Sequence, residues 1–165
     1  MRVLGVDPGT LVMGYGILEA DEGVTSLVHY GAIETVERSP IGERLSFLYR
    51  ELSGVIEKYE PDIIAIEQPF VAKNVKAAMA VGRAQAIAIL AAGSRGLPVF
   101  EYTPAQVKQR VTNYGASSKE QIQEMVRLSL NLAEIPQPND AADALAVALC
   151  HIQEIHLNHL LADSR

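Results

Sequence analysis

Cysteine is nearly absent from this sequence of 165 residues, since Cys150 is the only one. A single cysteine excludes an internal disulfide and a cysteine-rich metal site. The apolar, helix-forming residues around it predict an ordinary buried side chain. This usage suits a reducing compartment, and we expect a cytoplasmic protein.

Long hydrophobic runs are also missing. The apolar start, Val3 to Val6, ends at Asp7-Pro8-Gly9, so neither a secretory signal nor a membrane-spanning helix fits there. The most apolar interior stretch, Ala84 to Ala92, is too short to cross a bilayer. We therefore expect no membrane association.

Repeats, low-complexity tracts and long runs of like charge are absent as well. With 48% hydrophobic and 5% aromatic residues, the composition excludes a disordered or fibrous chain. A length of 165 residues suits one compact domain and is too short for two of ordinary size. We predict a soluble protein in which residues 1–165 form a single domain.

The net charge of −6 is distributed unevenly along the chain. Residues 70–119 contain seven basic residues and one acidic residue, whereas both flanking segments are acidic. A basic middle segment fits a nucleic-acid partner, but it fits a solvated charged surface equally well. Charge alone does not decide between the two.

The first half of the chain predicts three strands, a helix and a fourth strand. The three strands form a meander, and the last strand is an unalternating apolar run of the kind buried in parallel sheets. Ser39 and Pro40 resemble a helix cap and a first helical residue, and apolar residues then recur at helical spacing. The predicted strands cover residues 3–6, 14–19, 27–35 and 62–67, and the helix ends before Pro61.

The second half predicts four helices and one strand. An Ala-rich helix is interrupted at Gly82, and a later helix begins at a capping box formed either by Ser117 and Glu120 or by Ser118 and Gln121. Without the short helix from 103–104, the order is βββαβαβαα, which indicates an α/β layered fold, in which ligands bind at the carboxyl ends of central strands. The predicted bounds are a helix over 73–94, a strand over 99–102, a short helix from 103–104, a helix to 132 and a last helix from 139.

Two acidic residues end apolar strands: Asp7 follows Val3 to Val6, and Glu67 follows Ile63 to Ile66. An ionised carboxylate at such a place is costly unless a cation or a hydrogen-bond donor compensates it. Asp-Pro-Gly is also a common turn, in which the Asp7 side chain would bond its own backbone. That alternative is weaker for Glu67, because Glu is a poor turn residue.

Asp140 and Asp143 lie three residues apart at the start of the last predicted helix, so they share one face. The helix dipole alone would explain Asp140, but a pair of like charges on a partly buried face requires a cation. His151, His156 and His159 are expected to be solvated rather than ligands. Four carboxylates without cysteine or a suitably spaced histidine pair predict a Mg²⁺ or Mn²⁺ site, which suits phosphodiester hydrolysis.

A phosphate polymer that approaches such a site needs cations beside it, and Lys108 and Lys119 are the best candidates. Phe70 follows the acidic strand by three residues. Its ring could stack on an unpaired base or fold back onto the core. The basic segment thus points to nucleic acid once the carboxylates are considered with it.

Four ordered blocks contain these candidate residues and their apolar neighbours: Leu4-Gly5-Val6-Asp7-Pro8-Gly9 with Gly14-Tyr15-Gly16; Ala65-Ile66-Glu67-Gln68 with Phe70 and Ala72-Lys73-Asn74; Phe100-Glu101-Tyr102 with Gln106-Val107-Lys108-Gln109; and Asp140-Ala141-Ala142-Asp143-Ala144-Leu145-Ala146. This pattern resembles the RuvC family, the crossover (Holliday) junction endodeoxyribonucleases of bacteria, within the ribonuclease H-like superfamily. The resemblance covers nearly the whole chain. Four blocks in this order are highly specific.

The resemblance implies a ribonuclease H-like α/β fold, with a mixed five-stranded sheet flanked by helices. It also implies that Asp7, Glu67, Asp140 and Asp143 are catalytic and bind two Mg²⁺ ions per subunit, for which Mn²⁺ can substitute. Some family members have His at the position of Asp140, whereas this chain keeps a carboxylate. The all-acidic form of the site is therefore expected.

The resemblance further assigns DNA-binding residues. Lys108 and Lys119 match basic residues that support the DNA and the scissile phosphate, and Phe70 matches an aromatic residue at the junction centre. Lys73 and Lys76 are further candidates for DNA contact. The expected substrate is four-way junction DNA.

The family pattern also implies a homodimer that makes paired symmetric nicks during recombination and repair, with the RuvA–RuvB branch-migration complex as a partner. Two cuts related by a two-fold axis require two sites, which a C₂ dimer supplies. The Ala-rich helix from Ala77 is a candidate interface, although packing within one subunit would explain it nearly as well.

Three alternatives stay open. The chain could be a non-catalytic junction-binding scaffold with structural acids, or another ribonuclease H-like nuclease that acts on RNA. Asp7-Pro8-Gly9-Thr10 also resembles the phosphate loop of actin-like nucleotide-binding proteins. Those proteins need a second comparable domain, which 165 residues cannot supply.

Overall fold

A computed structural model describes residues 1–68 and 74–163 of the chain. Its five strands form one mixed sheet in the order β3-β2-β1-β4-β5. The β1–β2 and β2–β3 pairs are antiparallel, whereas β4 is parallel to both β1 and β5. The strands are β1 (Arg2–Asp7), β2 (Val12–Asp21), β3 (Val24–Glu34), β4 (Ile63–Glu67) and β5 (Val99–Tyr102).

Helices cover both faces of this sheet, which confirms the predicted mixed five-stranded α/β fold. All five strands lie where the sequence predicts them. The three N-terminal strands are longer than predicted. The helices are α1 (Ile41–Tyr59), α2 (Val75–Gly93), α3 (Pro104–Thr112), α4 (Lys119–Ser129) and α5 (Asn139–Asp163).

Alternation along the strands divides the core between the two faces. Leu4 and Val6 pack with Ile64 in the core under α1 and α2. Val3 and Ala65 point to the other face, where α3, α4 and α5 contribute to a second core. Because β1 and β4 are buried on both faces, they read as continuous apolar runs in the sequence.

Three details of the helices differ from the sequence prediction, and a fourth decides between two alternatives that the prediction left open. Pro40 occupies the N-cap of α1 and no side chain caps that helix, so the role predicted for Ser39 is wrong. α2 continues through Gly82 without interruption, and α4 ends at Ser129 instead of reaching residue 132. Of the two capping boxes considered for α4, Ser118 with Gln121 forms and Ser117 with Glu120 does not.

Two glycines bring α5 unusually close to the sheet. A Cβ atom at Gly14 in β2 would collide with the backbone carbonyl oxygen of Asp140, and one at Gly5 in β1 would collide with that of Ala144. Backbone therefore packs on backbone at the start of α5. Since Gly14 lies opposite Asp7 in the β1–β2 register, this contact places the first turn of α5 beside the end of β1.

Judged by length and composition alone, α2 is apolar enough to cross a membrane. Only 22% of its apolar stretch is buried in the structure. The stretch Ala84 to Ala92, which is by itself too short to cross a bilayer, lies within this longer helix. Val75, Met79, Ile89 and Leu90 are exposed on this helix. The outer side of α2 is therefore an exposed apolar surface.

Candidate active site

Asp7 and Glu67 lie side by side at the carboxyl edge of the sheet. They are the last residues of β1 and β4, two parallel neighbours whose preceding residues Val6 and Ile66 are paired. Apolar residues on both faces of these strands leave each carboxylate partly buried. The register of β1 and β4 therefore places the two acids side by side, as predicted.

Both carboxyl groups have strongly raised pKa values. Burial raises the pKa of Asp7 to about 8, with further contributions from the negative charges of Glu67, Asp143 and Asp140. Burial likewise raises the pKa of Glu67 to about 7, and Asp143 adds to this shift while Lys119 and Lys108 oppose it. The site thus concentrates negative charge in a poorly solvated place, which favours binding of a cation.

Asp140 and Asp143 complete the acidic group from the first turns of α5. The close packing of α5 on Gly14 brings Asp140 to the end of β1, and both aspartates raise the pKa of Asp7. The structure therefore brings all four predicted carboxylates to one edge of the sheet. Two come from strand ends and two from one helix.

Two lysines face this acidic group. The Lys119 ammonium group donates a hydrogen bond of 2.7 Å to Asp143, and this bond raises the pKa of Lys119. A cavity beside Glu67 has a volume of about 210 Å³, and carboxylates, lysines and apolar residues line it. The lining residues are Glu67, Pro104, Val107, Lys108, Lys119, Ile122, Asp143 and Ala146. Its size and its mixed charge suit a phosphate group next to cations and carboxylates.

Capping boxes fix the two helices that present these lysines. Thr103 and Gln106 cap α3, which carries Lys108, and Ser118 and Gln121 cap α4, in which Lys119 is the first residue. Each box satisfies backbone N–H groups at the start of its helix. Local sequence therefore determines where the two lysine-bearing helices begin.

Oxygen-rich donors and negative charge suit a hard divalent ion such as Mg²⁺ or Mn²⁺. Within residues 1–68 and 74–163, no three Asp, Glu, His or Cys side chains are arranged as a closed metal-binding group as they stand. The ammonium group of Lys119 contacts an oxygen atom of Asp143. The donor set fits the ions in chemistry, and the assignment of individual ligands stays a prediction.

The predicted DNA-binding residues are only partly described. Phe70 and Lys73 lie outside the described residues, so the predictions for them stay predictions. Lys76 is exposed in the first turn of α2 and does not line the cavity beside Glu67. Lys108 and Lys119 are the two members of the predicted set that the structure places at the acidic group.

The prediction of a solvated His151 is wrong. Its side chain is buried and contacts the Tyr102 hydroxyl group, whereas His156 and His159 are exposed as predicted. Sequence reasoning also missed the function of Gly14 beneath Asp140. The alternating glycines of Gly14-Tyr15-Gly16, read together with the alanines of α5, were the available signal for close packing.

A mixed sheet with acidic residues at adjacent strand ends, closed by an acidic helix, defines a nuclease of the ribonuclease H-like class. Residues 3–151 match the family model of the crossover junction endodeoxyribonuclease RuvC. The chain belongs to the RuvC family.

Curated relatives and solved structures agree with this assignment. A crossover junction endodeoxyribonuclease RuvC of Dehalococcoides mccartyi is 58% identical over 92% of each chain. Another, from Ruminiclostridium cellulolyticum, is 46% identical over 100% of this chain and 99% of its own. Among solved structures, Thermus thermophilus RuvC in complex with a Holliday junction substrate has a TM-score of 0.90 at 33% identity, covering 96% of both chains.

Proposed function

We propose that this chain is a divalent-metal-dependent endonuclease with one ribonuclease H-like domain that resolves four-way (Holliday) DNA junctions by paired symmetric nicks in recombination and repair. The observation that carries this proposal is the convergence of four carboxylates and two lysines on one edge of the sheet. The relatives' shared name and the junction complex of the Thermus thermophilus protein support the substrate.

Asp7, Glu67, Asp140 and Asp143 would hold two Mg²⁺ ions per subunit, and Mn²⁺ would replace them. Such a pair of ions supplies activation of water and stabilisation of the leaving oxygen in phosphodiester hydrolysis. Burial of Asp7 and Glu67 supports this assignment, because their raised pKa values mark carboxylates that lack compensating charge. The acidic set would therefore bind cations more strongly as these groups lose their protons.

Lys108 and Lys119 would bind the scissile phosphate in the cavity beside Glu67. Their positive charges lie on the side of the acidic group formed by Glu67 and Asp143, so a phosphate there contacts cationic groups on one side. Lys119 also orients Asp143 through its hydrogen bond. The lysines thus hold the DNA in register while the carboxylates bind the ions.

Contacts farther along the DNA would come from the start of α2 and the segment before it. Lys76 is exposed there, so it can approach a phosphate without disturbing the core. Phe70 would stack on an unpaired base at the junction centre, and Lys73 would contact the backbone. The role of Phe70 follows from the family pattern, whereas Lys76 lies in a stretch that varies among family members.

A second copy of the chain would cover the apolar side of α2. Residues alternately four and three apart form one stripe on this helix, which is the spacing of a helix–helix seam. Large side chains and small residues both occur along it, and nothing packs within 4 Å of a Cβ atom placed at Gly82 or Gly93. The stripe consists of Val75, Met79, Gly82, Ala86, Ile89 and Gly93. We call it the α2 seam.

A homodimer through the α2 seam would supply the two sites that paired nicks require. It would also explain why an apolar helix of a junction nuclease leaves so much surface uncovered. Two further expectations are a cytoplasmic location, from the single cysteine, and a functional partnership with the RuvA–RuvB branch-migration complex, from the family pattern.

The test is cleavage of a synthetic four-way junction in the presence of Mg²⁺ by the wild-type protein and by Asp7→Asn and Glu67→Gln. Wild type should make symmetric nicks, and each variant should lose several kcal/mol of transition-state stabilisation, about a hundredfold or more in rate. Both variants should still bind the junction in EDTA.

Asp21→Asn and Glu57→Gln are matched controls, since both residues are exposed and neither lines the cavity beside Glu67. They should cut like wild type. A wild-type protein that binds the junction but cuts it with neither Mg²⁺ nor Mn²⁺ would be a scaffold, and full cutting by both carboxylate variants would refute the assigned site.

A further inference from the structure

A buried polar contact joins β5 to α5. The Tyr102 hydroxyl oxygen lies 2.7 Å from Nδ1 of His151. Tyr102 is 7% exposed and His151 is 1% exposed, and the ring of Phe100 lies 4.5 Å from the imidazole centroid. Two polar groups in an apolar core are costly to bury unless they bond to each other, so this contact specifies one arrangement of the two elements.

Burial keeps both partners neutral. It lowers the pKa of His151, which Glu154 partly opposes, and it raises the pKa of Tyr102 to about 12. The charge of Glu154 is itself paired with Arg110 of α3. The contact is therefore a hydrogen bond between an imidazole and a phenol, and it does not depend on an ionised group.

Tyr102 also contacts the strand that carries Glu67. It is paired with Glu67 in the β4–β5 register, and its carbonyl oxygen accepts a hydrogen bond of 2.8 Å from the backbone N–H of Gln68. The next residue, Thr103, caps α3, which carries Lys108. One residue thus connects the strand of Glu67, the helix of Lys108 and, through its hydroxyl group, α5.

His151 lies on the same helix as Asp143, eight residues later. At a rise of 1.5 Å per residue the two are about 12 Å apart along α5, so a rigid helix transmits the position of one to the other. Close packing on Gly5 and Gly14 holds α5 against β1 and β2, on the side of Asp7. The Tyr102–His151 bond holds α5 on the opposite side, relative to β4 and β5.

We propose that Tyr102 and His151 are positioning residues for cleavage, because their hydrogen bond sets the spacing between Glu67 and Asp143 and thereby the affinity of the site for divalent ions. This inference rests on the proposed assignment of those carboxylates as metal ligands. Neither residue touches the substrate, so both act through the elements that carry the ligands.

Three substitutions separate the hydrogen bond from packing. Tyr102→Phe removes the hydroxyl group and keeps the ring. His151→Leu removes the bonding partner, whereas His151→Asn keeps an amide group near the position of Nδ1 that can donate or accept. Rescue by Asn and not by Leu would be the signature of positioning through this bond.

The primary readout is the Mn²⁺ concentration that gives half of the maximal thermal stabilisation of the DNA-free protein. Loss of a group that orients metal ligands commonly weakens metal binding by about ten- to a hundredfold, so Tyr102→Phe and His151→Leu should need at least about tenfold more Mn²⁺. His151→Asn should stay within about threefold of wild type. Junction binding in EDTA should be unchanged in all three.

Tyr49→Phe is the matched control, since it removes a hydroxyl group that bonds Ser94 on the other face of the sheet. Ile17→Val controls for a general loss of core packing. Both should keep the wild-type Mn²⁺ requirement.

An unchanged Mn²⁺ requirement in Tyr102→Phe and His151→Leu would overturn the positioning role, and so would a His151→Asn variant as impaired as His151→Leu. Asp7→Asn and Glu67→Gln are measured in parallel. If they bind Mn²⁺ as tightly as wild type, the carboxylate assignment fails and the positioning role fails with it. If they lose binding while Tyr102→Phe does not, the positioning role alone fails.

Discussion

Asp7 is held in the folded protein at a place that disfavours its charge. Burial, followed by three neighbouring carboxylates, raises its pKa from 3.8 to about 8. Between these two pH values the folded protein binds more protons than the unfolded chain, so the free energy of unfolding falls as the pH rises. The active-site carboxylates therefore reduce stability at neutral pH unless a cation compensates them.

Asp7→Asn should remove this cost. In EDTA at pH 8 the variant should be more stable than wild type by at least about 1 kcal/mol, and the difference should shrink as the pH falls and vanish below about pH 3, where Asp7 is protonated in both states. Urea unfolding at pH 3, 4.5, 6 and 8 measures this. The exposed Asp21→Asn serves as the control. A variant less stable than wild type at pH 8 would contradict the raised pKa.

The two roles proposed for Lys119, a contact with Asp143 and a contact with the scissile phosphate, can be separated by a substitution. Lys119→Gln removes a positive charge 2.7 Å from Asp143, so divalent ions should bind at least as tightly as in wild type. Cleavage at saturating Mg²⁺ should slow by about a hundredfold, because a cation beside the reacting phosphate is lost. Single-turnover cleavage and a DNA-free ion titration test the two effects. The exposed Lys58→Gln should alter neither.

At the scale of elements, α5 determines where the second pair of carboxylates lies. Gly14→Ala would place a methyl group against the backbone carbonyl of Asp140, and neither backbone can move without disturbing the sheet or the helix. Overpacking of this kind costs about 1–3 kcal/mol. We expect that loss in chemical unfolding, together with loss of cleavage, because Asp140 and Asp143 would shift away from Asp7.

Gly54→Ala is the control for this experiment. Gly54 lies inside α1, and a Cβ atom there meets nothing within 4 Å. The substitution should stabilise the protein by about 0.4–1 kcal/mol and leave cleavage unchanged. If Gly14→Ala also proved stable and active, close packing would not be what positions α5.

Much of the fold was predictable because local pattern determines it. Val99–Tyr102 forms the predicted strand, and Ser118 with Gln121 forms one of the two predicted capping boxes. The capping box joins residues three apart, and the apolar run that forms the strand is visible locally although the strand pairs with the distant β4. Gly82 was misinterpreted as a break in α2, since a glycine lowers helix propensity but does not end a helix whose neighbours are good helix formers.

The candidate site was predictable for a related reason. Asp7 and Glu67 end apolar runs, and the parallel sheet brings such ends together without further information. His151 was not predictable, because its only described hydrogen-bond partner, Tyr102, lies 49 residues away in the sequence. Contacts of that kind depend on the fold and leave no local signal.

For the whole molecule, the α2 seam predicts the oligomeric state. Met79→Glu would place a charge in the α2 seam that the proposed dimer would bury, so this variant should be monomeric where wild type is dimeric. Sedimentation equilibrium measures the difference. Val24→Glu is the control, since Val24 is an exposed apolar residue on the β2–β3 hairpin. A dimeric Met79→Glu variant would exclude the seam as the interface.

The same variant tests how nicks are paired. On a plasmid with an extruded cruciform, two nicks made by one dimer yield linear DNA, whereas independent nicks yield open circles. Wild type should give mainly the linear product, and the monomeric variant should give open circles at high protein concentration. The pairing of cuts would then be a property of the assembly and not of the individual site.

The close contact of α5 with Gly14 and Gly5 affects how the site tolerates substitutions elsewhere in the core. Side chains in a core can be exchanged for others of similar volume, and each exchange moves the neighbouring elements slightly. At Gly14 the nearest atoms of α5 are all backbone, and at Gly5 the methyl group of Ala148 is the one side chain among the nearest atoms, so there is almost nothing to exchange. The distance of Asp140 and Asp143 from the sheet can therefore stay the same while other core residues are substituted, provided that both glycines are kept.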